Sequence, residues 1–259
     1  MKIFYFTATG NSLYVAKRLG NDDELYSIPQ LLQRGELFFQ DEIIGLVYPC
    51  YSFGLPRIVR QFLAQAQLEA DYRFAVMTCG NNVGGALLTT KHLGEANGIH
   101  FDYFNYVKMV DNYLPLFDID KQLQTLPQKR VDDQLDQMVQ DIKSRKSKPP
   151  RVSPPIKLLT QFMKIGNSTL TSGKADHKFI VNASCNRCGI CVKVCPAGNI
   201  KVQEPTISYQ HNCESCFACI HVCPQNAIHL KNEKSATRYR NEHVSLKEII
   251  NANCQEKQN

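Results

Sequence analysis

The chain has 259 residues, 43% of them hydrophobic, so it can bury a substantial core, and its length suits two domains. Its net charge of +6 is uneven, about −1 up to residue 110, about +4 over 111–178 and about +3 over 179–259. The apolar start, Met1 to Phe6, is too short for a signal peptide and no later run reaches membrane-spanning length; a cytoplasmic protein is expected, and its eleven cysteines then point to metal ligation and away from disulfides.

Ile3 to Phe6 reads as a short strand, Thr7-Ala8-Thr9-Gly10-Asn11-Ser12 as a small polar loop, and Leu13 to Leu19 as a helix. Hydroxyls at Thr7, Thr9 and Ser12, with the free N–H groups of a helix start, make a cradle that can hold a phosphate without a cation. A nucleoside triphosphate site is not expected, because Gly80 to Gly85 lacks the following lysine and Gly166 to Lys174 has the wrong spacing and no hydroxyl after its lysine. Alternation continues with strands expected near 24–28, 42–48, 72–78 and 99–109 and helices near 11–20, 55–67, 84–97 and 128–145, a five-stranded doubly wound α/β sheet.

Such sheets bind ligands beyond the carboxyl ends of their strands, so the loops after Phe6, Tyr48 and Thr78 should converge. The second, Pro49-Cys50-Tyr51-Ser52-Phe53-Gly54, offers aromatic rings. The third, Thr78-Cys79-Gly80-Asn81-Asn82-Val83-Gly84-Gly85, offers backbone and amide partners for a polar ring edge. Residues 1–145 therefore resemble the flavodoxin family, whose T-x-T-G-N-[ST] signature stands here at Thr7 to Ser12. The resemblance implies a parallel sheet of order 2-1-3-4-5 in a domain of residues 1–147, and noncovalent FMN. Thr7, Ala8, Thr9, Gly10, Asn11 and Ser12 would take the phosphate. Pro49, Cys50, Tyr51, Phe53, Gly54, Thr78, Cys79, Gly80, Asn81, Gly84 and Gly85 would flank the ring. With no tryptophan in the chain, Tyr51 or Phe53 has to stack on it. Cys50 and Cys79 read as buried bystander thiols.

Asn112 and Tyr113 closely follow the fifth strand, so their segment could form part of a substrate pocket, although packing is expected for most of it. Lys143, Arg145, Lys146, Lys148 and Arg151 beside Pro149 and Pro150 read as a solvated linker, with no nucleic-acid motif beside them. A linker over 148–177 is expected to carry a short amphipathic segment from Ile156 to Ile165.

Cys185, Cys188, Cys191 and Cys195, followed by Pro196, spell CxxCxxCxxxCP; Cys213, Cys216, Cys219, Cys223 and Pro224 repeat it 28 residues later. Structural zinc usually takes two CxxC pairs, not two such runs. Residues 178–232 resemble the two-cluster bacterial ferredoxins, a small α+β domain, and the resemblance implies two [4Fe–4S] clusters with crossed ligand sets: Cys185, Cys188, Cys191 and Cys223 for one, Cys213, Cys216, Cys219 and Cys195 for the other. Free ferredoxins are commonly acidic, whereas residues 179–231 sum to about +2. His221 reads as a surface histidine, and the tail 233–259, with Cys254 and a short helix, as a frayed end.

The order of parts resembles a family of fused flavodoxin and two-cluster ferredoxin proteins. It implies an electron-transfer protein in which clusters pass single electrons to or from FMN, with a redox partner protein. An oxidoreductase acting on a small molecule is expected ahead of a pure carrier or a redox sensor, and the catalytic residues are not legible.

Overall fold

Ile3, Phe4 and Phe6 are fully buried, the first two in the β1 strand (Lys2–Tyr5) and the third just after it, as expected for a strand inside a sheet covered on both faces. The computed structural model describes residues 1–20, 24–152 and 173–255. In chain order α1 (Asn11–Gly20), β2 (Leu25–Ser27), α2 (Ile28–Arg34), β3 (Phe38–Pro49), α3 (Arg57–Gln65), β4 (Gln67–Cys79), α4 (Ala86–Ala96) and β5 (Tyr103–Lys108) follow. The five strands form one parallel sheet in the order β2-β1-β3-β4-β5, as the sequence implied, with Phe4 opposite Leu46 and Val47 opposite Met77's neighbour Val76. Phe4, Phe62 and Phe74 fill its core, each contributing about 1.5–3 kcal/mol by burial.

The boundaries differ from the periodicity. The β3 and β4 strands begin earlier than expected, because their first residues, among them Gln40, Asp41, Glu42, Glu69 and Asp71, are polar and half in solvent. The α2 helix, with Pro29 in its first turn and Gly35 closing it at φ +71°, falls where a strand was expected to run on to 28. The helix expected over 128–145 is a 3-10 turn, Pro127–Lys129, then α6 (Val131–Lys143), broken by Arg130 at φ +48°. Between β5 and that turn lies α5 (Ile119–Gln124), capped by Asp118. The basic run is not a free linker: Lys148 pairs its backbone with Tyr103 and Phe104 of the β5 edge, Lys146 bridges Asp141 and Arg145 reaches Glu42. The amphipathic segment Ile156 to Ile165 lies outside the described residues.

The cysteine repeat is a repeat of structure. One copy holds β6 (Phe179–Val181), α7 (Ile190–Lys193) and β7 (Ile200–Val202). The other holds β8 (Ile207–Tyr209), α8 (Ala218–His221) and β9 (Ile228–Leu230). Left-handed residues recur in register: Arg187 and Ser215, Gly189 and Phe217, Gly198 and Asn226. The copies exchange strands, β6 pairing with β9 and β7 with β8, both antiparallel.

The tail is docked, not frayed. It ends in α9 (Leu246–Asn253), started by a Ser245/Glu248 capping box worth about 1 kcal/mol. Lys17 bridges Glu248, Ser27 donates to the Ala252 carbonyl, Gln30 to that of Cys254, and Tyr14 stacks on His243 at 4.6 Å. Among the described residues, no helix is long and apolar enough to cross a membrane.

Candidate functional site

At the carboxyl end of the sheet the three loops do converge. Thr7, Thr9 and Ser12 are all buried; Thr7 Oγ1 accepts from Gly10 N at 3.2 Å and Ser12 Oγ meets Thr78 Oγ1 at 2.9 Å. The first N–H groups of α1, which a helix leaves without an intrahelical acceptor, stand beside these hydroxyls. Gly10 is at φ +103°, and a Cβ there would lie 2.9 Å from Asn241 Cβ and 3.0 Å from Val244 Cβ, so the tail is seated on the loop. Tyr239 and Asn241 donate to Asn11 Oδ1 at 2.6 and 3.1 Å, Asn241 N to Thr9 O at 2.8 Å, and Asn253 Nδ2 to Thr7 O at 2.9 Å.

A deep cavity of about 390 Å³ opens between the loops, within the range of small-molecule and cofactor pockets. Of the sequence-expected residues, Thr7, Ala8, Thr9, Asn11, Ser12, Pro49, Cys50, Tyr51, Phe53, Thr78, Cys79, Gly80 and Asn81 line it. Gly10, Gly54, Gly84 and Gly85 do not, and serve the loop backbones behind; Gly84, for one, lies under the Phe53 ring. A fourth wall is formed by Val110 to Tyr113 with Leu116 and Phe117, so for Asn112 and Tyr113 the pocket alternative holds over the favoured packing one. Sequence reasoning missed a fifth wall from the second domain: Ser215, Cys216 and Phe217. The adjacency of Asn112 to the fifth strand was the one signal for the former; nothing local signals the latter.

Burial pushes the Cys79 thiol up to about 12 and the Cys50 thiol higher, so both stay protonated and unreactive at neutral pH. Burial also raises Asp111, opposed by the Tyr113 N–H and by Lys129. Lys129 is pinned by the carbonyls of Gly80 (2.9 Å) and Met109 (2.6 Å) and by Gln122 Oε1 (3.0 Å).

The cysteines surround two further, small cavities. Cys185, Cys188, Cys191 and Cys223 line the outer one; Cys195, Cys213, Cys216 and Cys219 line the inner. Each takes three sulfurs from one copy of the repeat and the fourth from the other. Cys188 is exposed, whereas all four inner cysteines are buried. Backbone N–H groups of Asn199, Ser215 and Ala227 donate to the sulfurs of Cys195, Cys213 and Cys223 at 3.2–3.3 Å. Burial drives the thiols of Cys191 and Cys213 up to about 12 and those of Cys216 and Cys219 well above their usual range. Among the described residues, ligand atoms of Asp176, His177 and His211 lie within 4.8 Å of one another.

Residues 184–227 match the family of 4Fe-4S dicluster domains. The segment is an iron–sulfur domain, and electron transfer is the general role that follows. No curated protein is matched by the sequence. Among solved structures, the chain is similar to a Bacteroides uniformis protein described as a flavoprotein (14% identity, 41% of this chain and 88% of that one, TM-score 0.32). It is also similar to the Trp repressor binding protein of Bacillus subtilis (18% identity, 50% and 97%, TM-score 0.30).

Several contacts among the described residues join the iron–sulfur domain to the sheet domain, Arg57 donating to Asn212 Oδ1 at 2.9 Å among them. His221 is buried, not on the surface: its Nε2 donates to Asn112 O at 2.8 Å and its Nδ1 accepts from Tyr239 N at 3.1 Å, which fixes one neutral tautomer, and burial lowers its pKa to about 4. Glu214 accepts from Ile58 N at 3.2 Å, capping α3, and burial raises it to about 7. Phe217 stacks on Tyr113 at 5.4 Å between centroids. It holds a left-handed φ of +56° where the first copy has Gly189, at a cost of about 1–2 kcal/mol. That strain is kept where the inner cysteine cavity meets the deep one, because both are lined by Cys216 and Phe217.

Proposed function

We propose that the chain is a flavo-iron–sulfur electron-transfer protein holding two [4Fe–4S] clusters and FMN in a line, in domains of residues 178–232 and 1–147 joined by a linker over 148–177. The carrying observation is the sharing of Cys216 and Phe217 between the inner cysteine cavity and the deep one. The outer four cysteines would hold the partner-facing cluster, since Cys188 is exposed, and the inner four the cluster beside the flavin. Thr7, Thr9, Ser12 and the start of α1 would bind the FMN phosphate, and the 49–54, 78–81 and 110–117 segments the ring. When bound, the clusters supply one-electron exchange and the flavin the capacity to hold one electron or two.

The donor sets suit these groups. Two rings of four sulfurs with N–H donors match cubane ligation. The Tyr51 hydroxyl is buried without a hydrogen-bond partner, with Cys216 and Cys213 in its electrostatic surroundings, so it has a donor to give to an inner-cluster sulfur. Tyr51→Phe should therefore stabilise the cofactor-free protein by about 1 kcal/mol, by removing an unmet polar group, and lower the inner-cluster potential in the loaded one. Thermal melts and an EPR-monitored redox titration read the two effects.

An open cavity of about 840 Å³, sharing Gly80 and Asp111 with the deep one, favours an oxidoreductase of a small molecule over a pure carrier. Anaerobic protein should contain about eight iron, eight sulfide and one FMN. Full clusters with no FMN after reconstitution would overturn the flavin reading and leave an iron–sulfur carrier on an empty sheet domain.

A further inference from the structure

The wall between the deep and open cavities is made of residues that line both: Gly80, Asn81, Asp111 and Phe117. Of these four only Asp111 can ionise. We infer that Asp111 is the proton-transfer residue of the site, passing protons from water in the open cavity to a ring nitrogen of the flavin in the deep one. The inference rests on the flavin reading above.

The placement of the carboxyl supports this. Oδ1 accepts from Tyr113 N at 3.2 Å, which fixes the side chain in a local turn, while Oδ2 accepts no hydrogen bond among the described residues. Oδ2 lies against the Gly80 Cα, where a Cβ would come within 2.3 Å, so the third loop can approach the carboxyl only through a glycine. The open cavity is lined beside it by the polar side chains of Gln122, Thr125, Gln128 and Gln134, so its wall there is one that water can wet. The charged and titratable groups around Asp111 are Lys129 from the 127–129 turn, Cys79 and Cys50 from the ends of β4 and β3, and, across the open cavity, Lys108 from β5, Arg130, and Asp133 of α6. Lys129 spends its three hydrogen bonds on Gly80, Met109 and Gln122, so it attracts the carboxylate without locking it in an ion pair. Burial, by disfavouring the carboxylate, keeps the proton available at higher pH than an exposed aspartate would.

In the step, Asp111 would give up its O–H proton as a ring nitrogen of the bound flavin gains an N–H bond. The matching electron would arrive through the clusters from an external one-electron donor protein, and the carboxylate would take its next proton from bulk solvent by way of the open cavity, so that one proton taken from solvent accompanies each electron.

The test uses full-length, anaerobically reconstituted protein with iron and FMN quantified first. In wild type, the flavin midpoint potential plotted against pH should show a break from the titration of Asp111. In Asp111→Asn the break should vanish and flavin reduction by reduced clusters should slow on the order of 10²-fold, the rate being taken per bound FMN. Asp111→Glu should restore part of both and serves where the amide variant folds poorly. Wild-type pH dependence and rate in Asp111→Asn, with FMN bound, would overturn the proposal and leave the flavin reading intact. A wild type that takes up no FMN would overturn both.

Discussion

Replacing Cys216 with alanine should cost the protein its inner cluster, dropping iron from about eight atoms per chain towards four, and should cut electron delivery to the flavin while FMN stays bound. Cys216 is a member of the inner ring of sulfurs and the one that also lines the deep cavity. Its removal takes away a ligand and the side chain bridging the two sites. Cys188→Ala is the control at the other end. Cys188 is exposed and lines only the outer cavity, so its loss should spare the inner cluster and slow reduction by an external protein donor. Iron analysis, EPR and stopped-flow flavin absorbance separate the two variants. Equal slowing of flavin reduction in both, with the inner cluster intact in the second, is expected only for entry at the exposed cluster. Full-speed flavin reduction in Cys216→Ala would remove the inner cluster from the path.

Gly10→Ala should release FMN and loosen the tail. At φ +103° an alanine carries a left-handed backbone cost of about 1–2 kcal/mol, and its Cβ would meet Asn241 and Val244 at about van der Waals overlap, adding about 1–3 kcal/mol. Because the cost falls on the phosphate loop itself, FMN affinity should fall on the order of 10²-fold or more, read by quenching of flavin fluorescence on titration. Pairing Gly10→Ala with Val244→Ala should recover part of the contact cost and none of the backbone cost. The iron content should be unchanged in either variant, since the affected loop touches neither ring of cysteines. An FMN affinity equal to wild type would show that the loop from Thr7 to Ser12 is not the phosphate site.

The sheet was legible because parallel strands buried on both faces are short apolar runs, as at Ile3 to Phe6 and Ile44 to Tyr48. The cysteine run was legible because ligand spacing is a local property of the chain. Boundaries blurred where a local rule competed with tertiary pairing: polar Gln40 and Asp41 pair with β4 as strand, and Arg130 takes a left-handed turn inside what reads as one helix. His221 was misplaced for a related reason. A histidine's burial depends on what packs over it, here Asn112 and Tyr239, which lie 109 and 18 residues away along the chain.

The sequence by itself determined the α/β sheet, the three loops at its carboxyl end and the eight cysteines in two runs, since each is encoded in a stretch short enough to read as spacing or periodicity. Tertiary structure alone decided that the second cysteine run sits on the deep cavity through Cys216 and Phe217, that Asp111 stands between two cavities, and that the tail locks the Thr7 to Ser12 loop through Asn11. Those contacts join separate loops, from tens of positions apart at Asp111 and Gly80 to more than two hundred at Asn11 and Tyr239, and their geometry follows from how the elements pack, a property that no local pattern in the chain carries.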